Sequence, residues 1–540
     1  MTKRTVDLVV DWMKENRIGC FFGIPGGASL NLIEEADREG IKYILFNNEA
    51  SASAAAGIWG MLNDTPGICM SIMGPGALNC VFGAGLALME RHPLILFTDR
   101  YPSETINILD HQNILHKNLF QSITKDSLLA GQDTIDKTLN EAYSLSMKQP
   151  FGAVHIDFPT DIWSKESKLI KDTGQIEDNN LYENSFDTFI DDINNSRNPV
   201  IITGLATKYI NDNDLLLKLI EKLDAPFLSS YGGKGTIRED HPLYAGAAFG
   251  LSNIGSFEHG VLSISDLIIL IGVDSREIPR KWGYKQKVLS IDYTDNKIKS
   301  ISSWGKRLIG DIDYILCTIF PDLRKKNNHN SKYIRMLWKQ VYDKIDDSDQ
   351  LLSAEGVISI TRNMLSKDSI ISSDTGVFNM LLGHLWKCYK PRTFLNPSCT
   401  TTMGFSLPAI IAASLTFPKK QLLAFCGDGS MLMRLGDLEI LSRIGSYATI
   451  VIFNDNGLGT IKYAQKQLNT NAKYLDYNNV SFSAIGLALG IESFTIKNHL
   501  EYRESLKRSL ESNKLSVIEV LITSENYDQF IPVLRNNMVY

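Results

Sequence analysis

Apolar residues in this chain fall into short unbroken runs closed by glycine, asparagine or aspartate, and between the runs they recur at helical spacing. Residues 421–460 show the alternation most fully. Residues 422–426 are apolar throughout and end in Gly427-Asp428-Gly429, as a strand buried on both faces of a parallel sheet does. Met431, Leu435, Leu438, Leu441 and Ile444 then follow the helical period, predicting one helix over 431–444 that Gly445 stops. Residues 448–453 form a second apolar run, closed by Asn454-Asp455-Asn456-Gly457. The N-terminal third alternates in the same way, predicting helices over 6–16 and 29–39 and strands over 20–23, 43–46 and 152–159. Further strands are expected at 198–204, 266–272, 287–292 and 370–376. Helix–strand alternation of this kind predicts an α/β chain of three doubly wound parallel-sheet domains.

Two stretches break the pattern. Residues 165–193 are acidic, rich in asparagine and weakly periodic, and residues 325–332 read KKNNHNSK. Read as linkers, they divide the 540 residues into domains at 1–165, 185–325 and 345–540, which suits the length. A net charge of −6 with 21% charged residues argues against a polyanion such as nucleic acid as partner. Seven scattered cysteines with no CxxC pair argue against a disulfide framework or a zinc site. The N-terminus is charged and amphipathic rather than signal-like, and no apolar run is long enough to span a membrane. A cytoplasmic protein is expected.

The strand ends carry the chemistry. Asp428 and Asp455 lie 27 residues apart, about what a strand, a crossover helix and a return strand require. Both are therefore expected at the carboxyl ends of neighbouring strands, where open α/β sheets bind ligands. Gly427 and Gly429 let backbone N–H groups approach an anion, Ser430 opens a helix, and acidic oxygens beside such a cradle suit Mg²⁺ bridging to a diphosphate.

GDGS followed by an Asn/Asp-rich strand end resembles the diphosphate- and metal-binding motif of thiamine diphosphate (ThDP) enzymes. The chain departs from that motif at Asp455, where most of the family has asparagine; both offer an oxygen. The resemblance extends over most of the sequence. Glu49 lies between Gly23-Ile24-Pro25-Gly26 and Gly74-Pro75-Gly76 with Asn79, as in enzymes of the pyruvate oxidase and acetolactate synthase type. It implies that Glu49 hydrogen-bonds N1′ of the aminopyrimidine and so promotes proton removal from thiazolium C2. Thr402-Met403-Gly404-Phe405 is similar to the segment whose methionine holds the cofactor bent. Asp374 and Gly376 are expected to face the diphosphate.

His111-Gln112, thirteen residues before Lys125 of an ITK segment, is most similar to flavin-independent, catabolic-type acetolactate synthases. The run Gly272-Val273-Asp274-Ser275-Arg276-Glu277 with Trp282 points the same way, and the arginine-rich flavin signature is missing, so FAD is not expected. The three domains are then pyrimidine-binding, central and diphosphate-binding.

The resemblance thus implies catalytic Glu49 and Gln112. Its cofactor contacts are Pro25, Gly26, Asn79, Asp374, Gly376, Thr402, Met403, Gly427, Asp428, Gly429, Ser430 and Asn456, with metal ligands Asp428, Asp455 and Gly457. Gly27, Ala28 and His111 are candidate substrate contacts. A homodimer or homotetramer with active sites between subunits is implied. The expected reaction is decarboxylation of a 2-oxo acid such as pyruvate followed by coupling to a second carbonyl compound. Simple release of an aldehyde is the alternative, and a cofactor-binding protein without turnover is disfavoured by the intact Glu49 and Asp428. One departure bears on the substrate: catabolic acetolactate synthases carry a lysine just after the PG turn, and here the run is Gly27-Ala28-Ser29. No cation is in place there for a substrate carboxylate.

Overall fold

The computed structural model describes residues 2–168, 186–250, 256–343 and 352–522. The chain packs as two compact units, one of residues 1–178, 407–418 and 434–446, the other of residues 179–406, 419–433 and 447–540.

The first unit is built on a six-stranded parallel sheet. Its order is Lys42–Leu45, Cys20–Gly23, Gly67–Ser71, Leu94–Arg100, Ala153–Pro159, Ser127–Leu129. The central strands are buried almost throughout, whereas Lys42–Leu45 at the edge is half exposed, as helices on both faces of a parallel sheet require. The predicted strand at 152–159 is present but lies inside the sheet, because the short Ser127–Leu129 adds outside it. The helix Glu49–Asn63 is buried on nearly every side. Its alanines and serines let the helix Pro75–Glu90 approach until Gly83 touches it: a Cβ on Gly83 would sit 2.0 Å from Ser53 Oγ.

The second unit holds two six-stranded parallel sheets. One runs Tyr244–Ala247, Phe227–Ser229, Pro199–Thr203, Leu267–Ile271, Lys287–Asp292, Trp304–Ile309. The other runs Phe394–Leu395, Ile370–Ser373, Leu422–Gly427, Thr449–Asn454, Ser516–Leu521, Glu492–Ile496. A shared apolar core including Trp282, Trp386, Phe425 and Phe453 joins them.

Numbered within each domain, the first and third sheets share the order 2-1-3-4-6-5, while the middle one runs 3-2-1-4-5-6. All three are doubly wound α/β domains, and in such sheets the crevice for a ligand opens where the order reverses. That point lies at the ends of Cys20–Gly23 and Gly67–Ser71 in the first sheet, and at the ends of Ile370–Ser373 and Leu422–Gly427 in the third.

Three expectations need correction. The single helix over 431–444 is two, Asp428–Met433 and Asp437–Arg443. The first turn belongs to the second unit, and residues from 434 onward pack in the first: the Arg434 guanidinium lies 5.0 Å from the Phe82 ring and Asn47 Nδ2 donates to the Gly436 carbonyl at 2.8 Å. The period is continuous, but its two halves are buried against different neighbours. The linker over 165–193 contains the strand Glu166–Lys168, paired antiparallel with Thr2–Arg4, and the helix Phe186–Asn195, which buries Phe189, Ile190 and Ile193; its residues 169–185 lie outside the described ones. The linker over 325–332 ends earlier, in the helix Asn330–Tyr342.

Candidate active site

In the second unit the strands Leu422–Gly427 and Thr449–Asn454 pair in register, Gly427 opposite Phe453. Asp428 and Asp455 therefore follow directly at adjacent strand ends. Asp428 accepts hydrogen bonds from the Gly429 and Gly457 N–H groups at 2.6 and 2.9 Å. Burial pushes both carboxyls up, Asp455 to about 7, where the nearby charge of Asp428 adds to the burial; Lys462 offsets part of it.

Next to them Asn456 takes left-handed backbone (φ 56°), which asparagine tolerates. Its side-chain oxygen is buried with no hydrogen-bond partner. The two crowded buried carboxylates are hard oxygen donors of the kind that fits Mg²⁺.

Asp428 and Asp455 open onto a cavity of about 380 Å³, lined among others by Gly376, Met403, Gly427, Gly429, Ser430 and Gly457. The cradle is bare because side chains there are absent: a Cβ on Gly429 would lie 2.9 Å from Met403 Cε and 2.9 Å from Tyr477 Oη. Tyr231, Phe249, Arg276 and Arg280 of the central domain complete the wall.

Asp374 is turned away from this cavity. Its carboxylate accepts from the Phe405 and Ser406 N–H groups at 2.6 and 3.0 Å and from Ser406 Oγ at 2.5 Å. It braces the start of the helix Ser406–Thr416 and so the loop bearing Met403. The Thr402 hydroxyl donates to the Met403 carbonyl at 3.1 Å.

In the first unit, Glu49 opens its helix, is 7% exposed, and accepts from Asn79 Nδ2 at 3.0 Å through Oε2. Oε1 faces Gly76, where a Cβ would come within 3.3 Å. Gly26 packs against Ile72 and has Asp99 Oδ2 3.7 Å from its Cβ position, so Pro25-Gly26, the Gly74–Gly76 loop and the end of Leu94–Arg100 gather at one end of the sheet. Gln112 joins them, with left-handed backbone (φ 57°) and its carbonyl 2.7 Å from the Cβ position of Gly74. His111 is exposed and its carbonyl accepts from Tyr101 Oη at 3.0 Å. Gly27 and Ala28 bring no polar side chain, and the Gly27 Cβ position meets nothing within 4 Å. Lys125 of the ITK segment donates to the carbonyls of Lys148 and Pro150 at 2.7 and 3.0 Å, so it ties down a loop.

A buried cluster below that loop was not anticipated. The Gly74 N–H donates to His116 Nε2 at 3.3 Å, so Nδ1 carries the proton and donates to Asp157 Oδ1 at 2.7 Å. Thr98 donates to the same oxygen at 2.8 Å and accepts from His155 Nε2 at 2.7 Å, while Ser127 Oγ donates to His155 Nδ1 at 2.8 Å. Burial drops His155 to about 4. At Asp157 burial favours the neutral form, but the hydrogen bonds and charges of the two histidines and Thr98 outweigh it and hold the carboxyl below its ordinary value. The only sequence signal was a histidine and an aspartate in an otherwise apolar strand.

The class follows from this layout. Doubly wound first and third domains of one topology, a glycine-edged oxygen-donor site in the third and a buried glutamate in the first are the parts of a ThDP enzyme. Family models agree: the N-terminal TPP-binding domain matches residues 3–126, the central domain 186–319 and the C-terminal TPP-binding domain 374–520. The chain belongs to the thiamine diphosphate-dependent enzymes of the acetolactate synthase, pyruvate oxidase and decarboxylase superfamily.

Among its relatives, the acetolactate synthase large subunit of Lactococcus lactis is 26% identical over 97% of this chain and 94% of that protein. A probable acetolactate synthase large subunit of Methanococcus aeolicus is 24% identical over 97% and 93%. In fold, the benzoylformate decarboxylase of Polynucleobacter necessarius superposes with a TM-score of 0.84 at 21% identity, covering 97% of this chain and 99% of that one. Among the described residues no helix is long and apolar enough to cross a membrane.

Proposed function

We propose that this enzyme is a ThDP- and Mg²⁺-dependent carboligase, which removes CO₂ from a 2-oxo acid and couples the remainder to a second carbonyl compound. The observation that carries this reading is the placing of Asp428 and Asp455 at adjacent strand ends on one cavity, in a chain whose acetolactate synthase relatives match it over 97% of its length. Asp428, Asp455 and the Gly457 carbonyl would hold the metal, and the N–H groups around Gly429 and Ser430 would face the diphosphate. When bound, ThDP supplies the nucleophilic carbon and electron sink that loss of CO₂ from a 2-oxo acid needs.

The chain's own residues do the rest. Asn79 fixes one oxygen of Glu49, leaving Oε1 directed at the Gly76 backbone to hold or pass a proton. Met403, on the loop that Asp374 braces, fills the space beside Gly429. Tyr231, Phe249, Phe378 and Phe453 give the larger cavity an aromatic wall.

FAD is not part of the proposal. At the order reversal of the central sheet Glu277, pushed up to about 8 by burial, accepts from the Leu205 and Asp274 N–H groups at 2.7 and 3.0 Å, so a carboxyl group of the chain takes backbone donors that a nucleotide phosphate would use. A homodimer or homotetramer completes the reading.

The test is to incubate purified protein with ThDP, Mg²⁺ and pyruvate or other 2-oxo acids, with and without aldehydes, and identify products by mass spectrometry. Acetolactate or another coupled hydroxyketone supports the carboligase. Free aldehyde alone makes the enzyme a non-oxidative decarboxylase. No CO₂ from any 2-oxo acid, with ThDP bound, refutes both.

A further inference from the structure

The missing lysine after the PG turn leaves a question of charge that the first unit answers elsewhere. A second cavity, of about 270 Å³, opens at the carboxyl end of the strand Leu94–Arg100. Arg100, Gln112, Met73, His116, Lys117 and Asp157 contribute to its wall.

Its only acid among these is committed: Asp157 accepts from His116 and Thr98. Arg100, by contrast, has no carboxylate partner among the described residues, and its Nε–H is buried without an acceptor. A buried guanidinium donor left unmatched is costly, and a planar fork of donors matches a carboxylate in two parallel hydrogen bonds. Thr98 and Arg100 share a face of their strand, and Thr98 is opposite Asp157 in register. Arg100 therefore lies on the same face of the sheet as the buried cluster that anchors Gly74, and both contribute to this cavity.

The wall of that cavity runs on through neighbouring residues to the proton-handling end. Met73 lines it, Gln112 is pressed against Gly74, and two residues on Gly76 faces Glu49.

We infer that Arg100, with Gln112 on the wall of the same cavity, binds the carboxylate of the 2-oxo acid, replacing the cation absent after the PG turn. This rests on the reading of the enzyme as one acting on 2-oxo acids. Recognition by this half-buried cation selects a free carboxylate over an ester or a simple aldehyde.

The probe is methyl acetylphosphonate, a singly charged 2-oxo acid mimic that cannot lose CO₂, titrated calorimetrically into protein loaded with ThDP and Mg²⁺. Wild type is expected to bind it. Arg100→Gln should weaken binding about tenfold or more with ThDP affinity unchanged, and Arg100→Lys should recover part. In turnover, Arg100→Gln should raise KM for the 2-oxo acid more than it lowers kcat. Unchanged ThDP affinity also shows that the variants are folded. Equal binding by wild type and Arg100→Gln, or no binding by wild type, overturns the assignment. CO₂ release is read separately: analogue binding that depends on Arg100, without CO₂ from any 2-oxo acid, leaves the carboxylate site standing and removes the proposed reaction.

Discussion

Glu49 shows how one residue acquires a role from its surroundings. A glutamate at the first turn of a helix is ordinarily an exposed acid favoured by the helix dipole. Here it is buried, held by Asn79 through one oxygen, and open toward a glycine through the other. Glu49→Gln keeps the shape and the Asn79 neighbour but removes the proton carrier. It should lower turnover about a hundredfold or more, while ThDP binding, followed by fluorescence quenching, stays within a few-fold of wild type. Turnover near wild type would remove Glu49 from the mechanism.

His155 acts on stability instead. Burial lowers it to about 4, against 6.5 for the ordinary side chain, so the unfolded chain binds the proton first. Its contribution is fully present above pH 6.5 and is lost as pH falls toward 4, by about 3 kcal/mol in all. Chemical denaturation at pH 7.5 and 5 should show a steeper acid-side loss in wild type than in His155→Gln.

At the scale of elements, the paired helices Glu49–Asn63 and Pro75–Glu90 decide how accurately Glu49 and Asn79 meet. Their closeness depends on Gly83, whose Cβ position is 2.0 Å from Ser53 Oγ and 2.6 Å from the Ser53 carbonyl carbon. Backbone cannot rotate away as a long side chain can. Gly83→Ala should therefore push the helices apart, costing about 1–3 kcal/mol of stability, measurable as a lowered denaturation midpoint, and should reduce kcat by disturbing the Asn79–Glu49 bond. The break between Asp428–Met433 and Asp437–Arg443 belongs to this scale too. Its periodicity was visible in the sequence, but which core each turn would join was not.

Across the second unit, the two sheets are locked together by an ion pair with no exposure on either side chain. Lys234 Nζ donates to Glu239 Oε2 at 2.8 Å and to the Gly383 carbonyl at 3.0 Å, and the Cys388 N–H donates to Glu239 Oε2 at 2.9 Å. Removing one partner strands a buried charge. Lys234→Met should cost about 3–5 kcal/mol, and the double variant with Glu239→Gln should recover part of it. Denaturation of the three proteins checks this; a double variant as unstable as the sum of the single ones would show that the pair acts only by filling space.

The sequence by itself determined the three parallel sheets and the positions of Glu49, Asp428, Asp455 and the glycines around them. Buried parallel strands are apolar runs, and what closes such a run falls at a strand end, so a local pattern carries a site's position. The tertiary structure alone decided that Asp374 braces Ser406, that Lys125 ties a loop, that His116 and Asp157 support Gly74, and that the Arg100 Nε–H is left without an acceptor among the described residues. Each depends on groups brought together from distant parts of the chain, and hydrogen bonding and burial at such meetings leave no periodic mark on the residues that make them.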